Sequence, residues 1–225
     1  MIKVGLDVLL DNPSTLTNQR VGLLTNPTGV THDLRQNVDA LLEAGVNVVA
    51  LFSPEHGFRG TAAEGETVTS SKDARTGLPV HSLYGATLAP TPEMLHDIDV
   101  LLFDLQDVGA RFYTYTTTLA LAIQACAQNG VRLLVLDRPN PIGGLQIEGP
   151  ILDPALQSFV GHGPLPVRYA MTMGEMAKFY ASSLLNSDFL AEVRRERRAR
   201  RFNSVSAPPL LRTSVRKSEV NNEDA

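Results

Sequence analysis

The chain has 225 residues, 43% of them hydrophobic, with 20 Lys and Arg against 24 Asp and Glu and a formal net charge of −4. A chain of this size and composition can bury one sizeable core, so a globular α/β domain is expected. Its single cysteine, Cys126, excludes a disulfide framework and a multi-cysteine zinc site. We expect Cys126 to be a small buried hydrophobe on a helix rather than a nucleophile.

No apolar run of the sequence reaches the length of a membrane span, so no membrane partner is expected. Residues 1–7 lack the apolar segment of a signal peptide. We therefore expect a cytoplasmic chain as given, or a periplasmic or secreted one if a leader has been removed.

Charge is distributed unevenly along the chain. Residues 190–225 hold nine basic and five acidic side chains, with six arginines between Arg194 and Arg201. Such a run can bind nucleic acid, but this one has no interleaved aromatic residues and no known reading motif. We expect a solvated helix end or a disordered tail and no nucleic-acid partner. The predicted organisation is a catalytic N-terminal domain over 1–189 and an Arg-rich, divergent or disordered tail over 190–225.

Four apolar stretches predict the main strands, in chain order residues 20–25, 46–52, 99–105 and 131–136. Helical periodicity predicts helices at residues 31–44, 92–97, 116–129 (closed by Gly130) and 173–185. Residues 59–77 are polar and Gly-rich, which predicts a long loop. Residues 78–83 predict a short edge strand, since Pro79 cannot donate to a ladder.

The first predicted helix, over residues 31–44, is amphipathic. Leu34, Val38, Leu41 and Leu42 fall at helical spacing along it. Helices between near-continuous apolar strands imply a parallel sheet with both faces covered. No G-x-G-x-x-G and no P-loop follows the first strand, so neither a dinucleotide site nor any other cofactor is expected.

Each strong strand ends in a polar, turn-forming cluster, and in a parallel sheet these ends meet at one edge. The clusters are Asn26; Glu55, His56 and Arg59; Asp104, Gln106, Asp107 and Arg111; and Asp137, Arg138 and Asn140. Glu55 leads them, because it directly follows a buried strand inside a Pro- and Gly-framed turn. A polar turn that only reverses the chain would carry similar residues. Four such turns at one edge favour a binding crevice.

Carboxylates facing arginines suit a polar ligand that bears hydroxyl groups and a negative charge. Glycoside hydrolysis needs one carboxylic acid to protonate the leaving oxygen and usually a second carboxylate as base or nucleophile. Burial near Phe58 or a like charge on Asp107 would let Glu55 keep its proton near neutral pH. Arg59, Arg111 and Arg138 could grip a substrate carboxylate in bidentate fashion.

A metal site is the chemical alternative. Asp104, Asp107, Asp137 and His56 could bind Mg²⁺ or Zn²⁺ in a metal-dependent phosphatase or hydrolase, although no H-x-x-H or H-E-x-x-H motif is present. We expect no metal. A Ser-His-Asp triad is not favoured, because there is no G-x-S-x-G elbow.

Five ordered motifs together resemble the DUF1343 family over about residues 3–185. They are Gly22-Leu23-Leu24-Thr25-Asn26-Pro27-Thr28-Gly29, Pro54-Glu55-His56-Gly57, Asp104-Leu105-Gln106-Asp107-Val108-Gly109-Ala110-Arg111-Phe112-Tyr113-Thr114-Tyr115, Asp137-Arg138-Pro139-Asn140-Pro141 and Glu148-Gly149-Pro150. The resemblance also includes Pro166-Val167-Arg168 and Met173-Gly174-Glu175.

The resemblance implies an exo-β-N-acetylmuramidase that removes terminal N-acetylmuramic acid from the non-reducing end of peptidoglycan fragments. It implies a Rossmann-like N-terminal domain, a smaller C-terminal subdomain and an active site in the cleft between them. The glutamate of the Pro-Glu-His-Gly motif, Glu55, is then the catalytic residue. For the second carboxylate Asp107 stands narrowly ahead of Glu148 and Glu66. The expected substrate-binding residues are Asn26, His56, Arg59, Gln106, Arg111, Tyr113, Asp137, Arg138, Asn140 and Glu148.

The sequence departs from the family pattern after about Leu185, where the Arg-rich stretch begins and no Trp follows. We therefore expect the family's C-terminal subdomain to be largely missing. A catalytically inactive muropeptide- or sugar-binding domain is then the alternative to an active glycosidase. Retaining and inverting hydrolysis both stay open, because the outcome depends on the separation of the two carboxyl groups. The oligomeric state stays open as well.

Overall fold

A computed structural model describes residues 3–54 and 71–185 of the chain. Its helices are α1 (Gly5–Asp11), α2 (Asn37–Glu43), α3 (Pro92–Leu95), α4 (Tyr115–Asn129) and α5 (Met173–Leu185). Its strands are β1 (Val21–Thr25), β2 (Val48–Ser53), β3 (Ser71–Lys72), β4 (Pro79–Ser82), β5 (Val100–Asp104) and β6 (Arg132–Val135). Two short 3₁₀ turns lie at Pro13–Leu16 and Pro154–Leu156.

The strands form one sheet in the order β3-β4-β2-β1-β5-β6. Strands β4, β2, β1, β5 and β6 are parallel to one another. Among the described strands, only β3 runs antiparallel to its neighbour, β4. Leu23 in the centre of β1 faces Leu51 on one side and Leu102 on the other. The four predicted main strands are therefore confirmed as parallel neighbours, but the prediction that all four are central is wrong for β6, which forms one edge of the described sheet.

Helices cover both faces of the sheet, as the near-continuous apolar strands predict. Val100 and Leu102 of β5 pack with the cluster that includes residues of α1 and α2. Leu101 and Phe103 pack on the opposite face with residues of α4 and α5. This alternation follows from the two-residue period of a strand, which sends successive side chains to opposite faces. The α/β, Rossmann-like fold class is confirmed.

The first predicted helix begins six residues later than expected. Residues 31–36 form a tight turn in which Thr31 N–H donates to Arg35 O (3.0 Å) and Leu34 has a φ of 63°. Thr31 Oγ1 accepts from Arg35 N–H (3.0 Å), a local side-chain bond that competes with helix formation. Leu34 is consequently 78% exposed. The prediction that it lies on the apolar face of a helix is therefore wrong.

Other boundaries agree with the predictions or refine them. The helix predicted to stop at Gly130 does so, with that glycine in the left-handed conformation at φ 71°. The short strand predicted around Pro79 exists as β4, but β3 lies outside it and takes the edge position. Residues 59–70 of the predicted long loop lie outside the described residues. Helix α1 has no counterpart in the predictions.

Cys126 is buried on α4, as expected, and burial raises the pKa of its thiol. Within residues 3–54 and 71–185, no helix is long and apolar enough to cross a membrane. The predicted boundary at residue 189 and the tail beyond it lie outside the described residues and stay predictions.

Candidate active site

The carboxyl ends of β1, β5 and β6 bring three of the predicted polar clusters to one edge of the sheet. Thr25 at the end of β1 pairs with Asp104 at the end of β5, and Phe103 pairs with Val135 near the end of β6. Strand β2 ends beside them, where Leu24 pairs with Phe52.

The predicted site residues Glu55, His56 and Arg59 come just after β2 and lie outside the described residues. Glu66, the third candidate for the second carboxylate, also lies outside them. Ser53 and Pro54, which lead into this segment, are both buried. The described site is therefore built from the clusters after β1, β5 and β6.

A buried ion pair forms the floor of this edge. Arg138 Nε donates to Asp104 Oδ1 (2.7 Å) and Arg138 Nη2 donates to Asp104 Oδ2 (3.2 Å), so the contact is bidentate. Asp104 is fully buried and Arg138 is 6% exposed. The buried amide of Asn37 donates to Asp104 Oδ2 (2.7 Å). Both carboxylate oxygens of Asp104 are thus satisfied by donors.

The same cluster fastens the loop between β1 and α2. Arg138 Nη2 also donates to Val30 O (2.9 Å), and Asn37 N–H donates to Gly29 O (2.8 Å). A Cβ at Gly29 would lie 2.2 Å from Asn37 Nδ2, so only glycine permits this close approach. Arg138 therefore holds β5, β6 and the β1–α2 loop together. Its Nε and Nη2 are thus occupied by protein groups.

Asp107 is a second buried carboxyl group with different neighbours. Its Oδ1 accepts from Gly109 N–H (2.7 Å) and from the hydroxyl of the buried Tyr169. Its Oδ2 is buried without a hydrogen-bond partner in the described part of the chain. Burial raises the pKa of Asp107, while the hydrogen bond from Tyr169 acts in the opposite direction. Burial and the nearby Asp107 carboxylate likewise raise the pKa of Tyr169.

Asn26 links the loops after β1 and β5 to helix α4. Its Nδ2 donates to the Tyr115 hydroxyl, and its Oδ1 accepts from Thr28 N–H (2.9 Å) and Thr28 Oγ1 (2.5 Å). Thr28 Oγ1 in turn accepts from Gln106 N–H (3.2 Å). The ring of Tyr113 packs edge-on against Tyr115 with a centroid distance of 4.8 Å. Asn26, Gln106 and Tyr113 therefore lie in one connected set.

Gln106, Asp137 and Asn140 make contacts within the fold. Gln106 Nε2 donates to Pro139 O (3.0 Å). Asp137 accepts from Gly174 N–H (2.7 Å) and from Thr172 Oγ1 (2.9 Å), which ties β6 to the start of α5. Asn140 Nδ2 donates to Met171 O (3.0 Å).

The segments around residues 110, 148 and 168 form a small patch of antiparallel bridges beside the site. Arg168 pairs with both Ala110 and Glu148 through the backbone. The Arg168 guanidinium also contacts Glu148 Oε2 (3.0 Å), and that carboxylate is 64% exposed. Arg111 Nη1 donates to Pro150 O (2.9 Å) and Leu165 O (2.5 Å). The Glu148 carboxylate thus faces solvent, whereas Nη1 of Arg111 is bound to two backbone carbonyl groups.

The described residues contain no group of three or more His, Cys, Asp or Glu side chains that could hold a metal ion. Asp104, Asp107 and Asp137, proposed as ligands under the metal alternative, make separate contacts with Arg138, Tyr169 and Gly174. Their arrangement gives the metal alternative no support in the described part.

A crevice of about 610 Å³ lies at the opposite, amino edge of the sheet. It is lined by Gln19, His96, Asp99 and Arg132 among others, which precede or begin β1, β5 and β6. It contains none of the predicted site residues.

Three residues with important contacts were absent from the predicted site: Asn37, Arg168 and Tyr169. Asn37 sits inside a predicted helix, where the sequence offers no sign of a buried polar role. Arg168 could have been found, because it belongs to the Pro166-Val167-Arg168 motif that the family resemblance already includes, whereas Tyr169 lies just outside that motif.

Comparisons with known proteins agree with this architecture. A family model described as "Exo-beta-N-acetylmuramidase NamZ, N-terminal" matches residues 21–203. The peptidoglycan beta-N-acetylmuramidase NamZ of Bacillus subtilis (strain 168) is 52% identical over 190 residues, which are 84% of this chain and 45% of that protein.

Two crystal structures of DUF1343 family proteins from Bacteroides fragilis NCTC 9343 have the same fold. One has a TM-score of 0.75 at 44% identity and covers 94% of this chain and 49% of its own. The other has a TM-score of 0.70 at 38% identity, and the match covers 80% of this chain and 47% of the other chain. The chain thus spans about half the length of the relatives it matches. With a family model over most of its residues and these relatives, the chain belongs to the DUF1343 family, the family of the exo-β-N-acetylmuramidase NamZ.

Proposed function

We propose that this chain is the catalytic N-terminal domain of a glycoside hydrolase that removes terminal N-acetylmuramic acid from the non-reducing end of peptidoglycan fragments. One observation carries the proposal: the 52% identity over 190 residues to a protein named as a peptidoglycan beta-N-acetylmuramidase. The substrate class is then a small peptidoglycan-derived saccharide. The edge of the sheet supports this function, because it gathers hydroxyl, amide, carboxylate and guanidinium groups that suit a charged sugar.

We propose Glu55 as the general acid that protonates the leaving oxygen. In the sequence it follows the end of β2 by two residues, and β2 is the strand next to β1 in the sheet. Ligands of open α/β sheets bind outside the carboxyl ends of the strands, and in the sequence Glu55 follows the carboxyl end of β2. His56 and Arg59 follow it directly and are proposed as substrate contacts.

Exposure decides how the two other carboxyl groups are assigned. A base or nucleophile must touch the sugar or its attacking water. Glu148 is exposed, whereas Asp107 is 4% exposed and both of its oxygens face the protein interior. We therefore propose Glu148 as the second carboxylate. Asp107, which the sequence placed narrowly first, is proposed to position the loop between β5 and α4.

The arginines divide in the same way. Arg138 is buried against Asp104, so we propose a structural role for it. Arg59 and Arg111 are the proposed partners of the substrate's lactyl carboxylate. Among the described residues, Arg111 is held by two carbonyl groups through a single nitrogen, Nη1, and its Nη2 and Nε have no hydrogen-bond partner there, so we propose these two donors for the ligand.

The test is hydrolysis of a chromogenic N-acetylmuraminide by this chain and by the same chain joined to the C-terminal half of the Bacillus relative. In whichever form is active, Glu55→Gln should lower kcat by about 10²- to 10⁴-fold, since it removes the transferable proton but keeps the shape. With a substrate that has a better leaving group, Glu55→Gln should lower kcat by a smaller factor, because less protonation is needed. The matched control is Glu43→Gln on α2, whose carboxylate is 66% exposed and pairs with Arg35.

Three results would contradict the proposal. Full turnover of a poor leaving group by Glu55→Gln would place the acid elsewhere. Binding of a muramic-acid disaccharide without product release, by both forms, would identify an inactive sugar-binding domain. Loss of activity on chelation would identify a metal-dependent hydrolase.

A further inference from the structure

The crevice at the amino edge of the sheet is a second concave surface, on the side of the molecule away from the candidate active site. Strand β5 starts beside it, after Asp99, and ends at Asp104, so the two edges are roughly 13 Å apart at about 3.3 Å per residue. The volume of the crevice, about 610 Å³, falls within the range of small-molecule sites.

Three changes of chain direction surround this crevice. Helix α3 begins after the capping residue Thr91 and ends at Leu95. Helix α4 ends at Gly130, whose φ of 71° turns the chain toward β6. A Cβ at Gly130 would have no neighbour within 4 Å, so this wall of the crevice borders open space. The third change is at Asn18, which has a φ of 60° and precedes β1.

The crevice combines an apolar floor with a polar rim. Leu95, Ile98 and Val131 line it and are at most 5% exposed, so they form its floor. An apolar concave surface with a few convergent polar groups is the usual composition of a small-molecule site. The polar residues of the rim are Asn18, Gln19, His96, Asp99, Asn129 and Arg132.

The charged groups around the rim differ in their partners. Arg20 donates to Asp99 through Nε (3.3 Å) and Nη2 (3.1 Å) and to Asp97 through Nη1 (2.8 Å), so one guanidinium offsets both carboxylates. The guanidinium of Arg132 has no hydrogen bond or ion pair within residues 3–54 and 71–185. Arg132 is nevertheless only partly exposed. A guanidinium in this situation suits a planar carboxylate, which it can contact through two nitrogens.

We propose that this crevice binds a small organic carboxylate, whose anionic group pairs with Arg132 and whose apolar body packs on the floor. The side-chain amides of Asn18 and Gln19 supply further donors, since neither has a hydrogen-bond partner in the described part of the chain. The site is independent of the proposed hydrolysis, because none of the residues assigned to that reaction lines the crevice.

The test is a nuclear magnetic resonance titration of the isotope-labelled chain with benzoate, which carries one carboxylate on an apolar ring. We expect saturable shifts of the backbone amides of Gln19, His96, Gly130 and Arg132, with a Kd on the order of 1–10 mM for so small a ligand. Benzamide has the same shape without the charge. It should bind about tenfold more weakly or worse, because it loses the charge-assisted pair. Inorganic phosphate, which lacks the apolar body, should also bind more weakly than benzoate.

Two substitutions locate the partner of the carboxylate. Arg132→Met should weaken benzoate binding by about tenfold or more. Arg132→Lys should weaken it less, because lysine keeps the charge but cannot make the bidentate contact. The matched control is Arg35→Met, which removes a guanidinium outside the crevice from a side chain that is 51% exposed. It should leave the affinity for benzoate unchanged.

Four results would overturn the proposal. Equal affinity for benzoate and benzamide would show that the crevice recognises no anion, and this comparison holds even if Arg132→Met fails to fold. Unchanged benzoate affinity in a folded Arg132→Met variant would exclude that guanidinium as the partner. Shifts confined to the carboxyl edge, at Gln106 and Glu148, would assign the ligand to the candidate active site. Phosphate binding as tight as that of benzoate would show that the apolar floor takes no part.

Discussion

Two buried carboxyl groups lie three residues apart at the end of β5 and have opposite surroundings. Asp104 points toward a guanidinium and an amide, and each of its oxygens has a charged or polar donor. Asp107 points toward the hydroxyl of Tyr169, and its second oxygen has no partner in the described part of the chain. Burial is similar for the two residues, at 0% and 4% exposure.

The difference shows that partners, and not depth alone, decide what a buried carboxyl group does. A carboxylate that a bidentate guanidinium and an amide hold through both oxygens anchors structure. A carboxyl group held by a phenol and backbone N–H groups gains less support for its charge than one held by a guanidinium, and burial raises the pKa of Asp107. Four substitutions test this difference between Asp104 and Asp107.

The largest effect is expected from removing the cation of the Asp104 cluster. Arg138→Met should lower the free energy of unfolding by about 3–5 kcal/mol, because it leaves the buried Asp104 carboxylate with Asn37 as its only side-chain donor among the described residues. Urea unfolding followed by circular dichroism measures this. Arg35→Met is the control, since its ion pair with Glu43 is exposed and worth about 0–1 kcal/mol. Similar losses in both variants would show that the Asp104 pair is no anchor.

The next effect is expected from the phenol that supports Asp107. Tyr169→Phe should cost about 1–3 kcal/mol, because it leaves a buried acceptor with one donor fewer. Tyr113→Phe is the matched control, since its ring packs on Tyr115 and no hydrogen bond of its hydroxyl occurs in the described part of the chain. The same unfolding experiment applies. A Tyr169→Phe variant as stable as the control would mean that the hydroxyl does not support Asp107.

Asp107 also predicts a sign for the dependence of stability on pH. Its folded pKa is above the unfolded value of about 3.9, so between the two values the folded chain binds more protons than the unfolded chain. Its contribution to stability is therefore full below pH 3.9 and falls as the pH rises through the folded pKa. Relative to the parent chain, Asp107→Asn should become more stable as the pH increases from 3 to 7.

Asp99 is the control, because its effect on the pH dependence of stability is expected to have the opposite sign. The hydrogen bond from Arg20 holds the pKa of Asp99 below its usual range. Its contribution is present above the unfolded pKa and is lost as the pH falls through the folded pKa. Asp99→Asn should therefore lose stability relative to the parent chain as the pH rises from 3 to 7. The same sign in both variants would exclude this account of Asp107.

The smallest effect on stability is expected at the exposed carboxylate. Glu148→Gln should change the free energy of unfolding by less than about 1 kcal/mol, because its ion pair with Arg168 faces solvent. As the proposed second carboxylate, it should nevertheless lose most of its turnover of the chromogenic N-acetylmuraminide. An active Glu148→Gln variant beside an inactive but stable Asp107→Asn variant would return the catalytic role to Asp107.

The sequence located the strands and the edge at which they end, because apolar runs and turn residues are local signals. It placed Asn26, Asp107 and Asp137 at that edge, and the structure has them there. The predicted helix start at residue 31 was wrong, and the helix begins at Asn37. The turn before it depends on the hydrogen bond between Thr31 and Arg35, which hydrophobic periodicity does not reveal.

The roles of the arginines could not be predicted in the same way. A position at the sheet edge does not say whether a guanidinium faces solvent or a buried carboxylate 34 residues away, as Arg138 does. Tyr169 was missed for a similar reason, because its partner lies 62 residues earlier in the chain. Partners that distant are fixed by packing, which a single sequence does not display.

The contact between the start of α1 and the end of β6 has a consequence for biosynthesis. Gly5 N–H donates to Asp137 O (2.7 Å), and a Cβ at Gly5 would lie 2.3 Å from Asp137 N, so the helix docks on the segment just after β6, which is made 132 residues later. Ribosomes add about 5–20 residues per second, so the first helix waits roughly 7–26 s for its docking site. During that interval the N–H of Gly5 at the start of α1 has no native partner at residue 137.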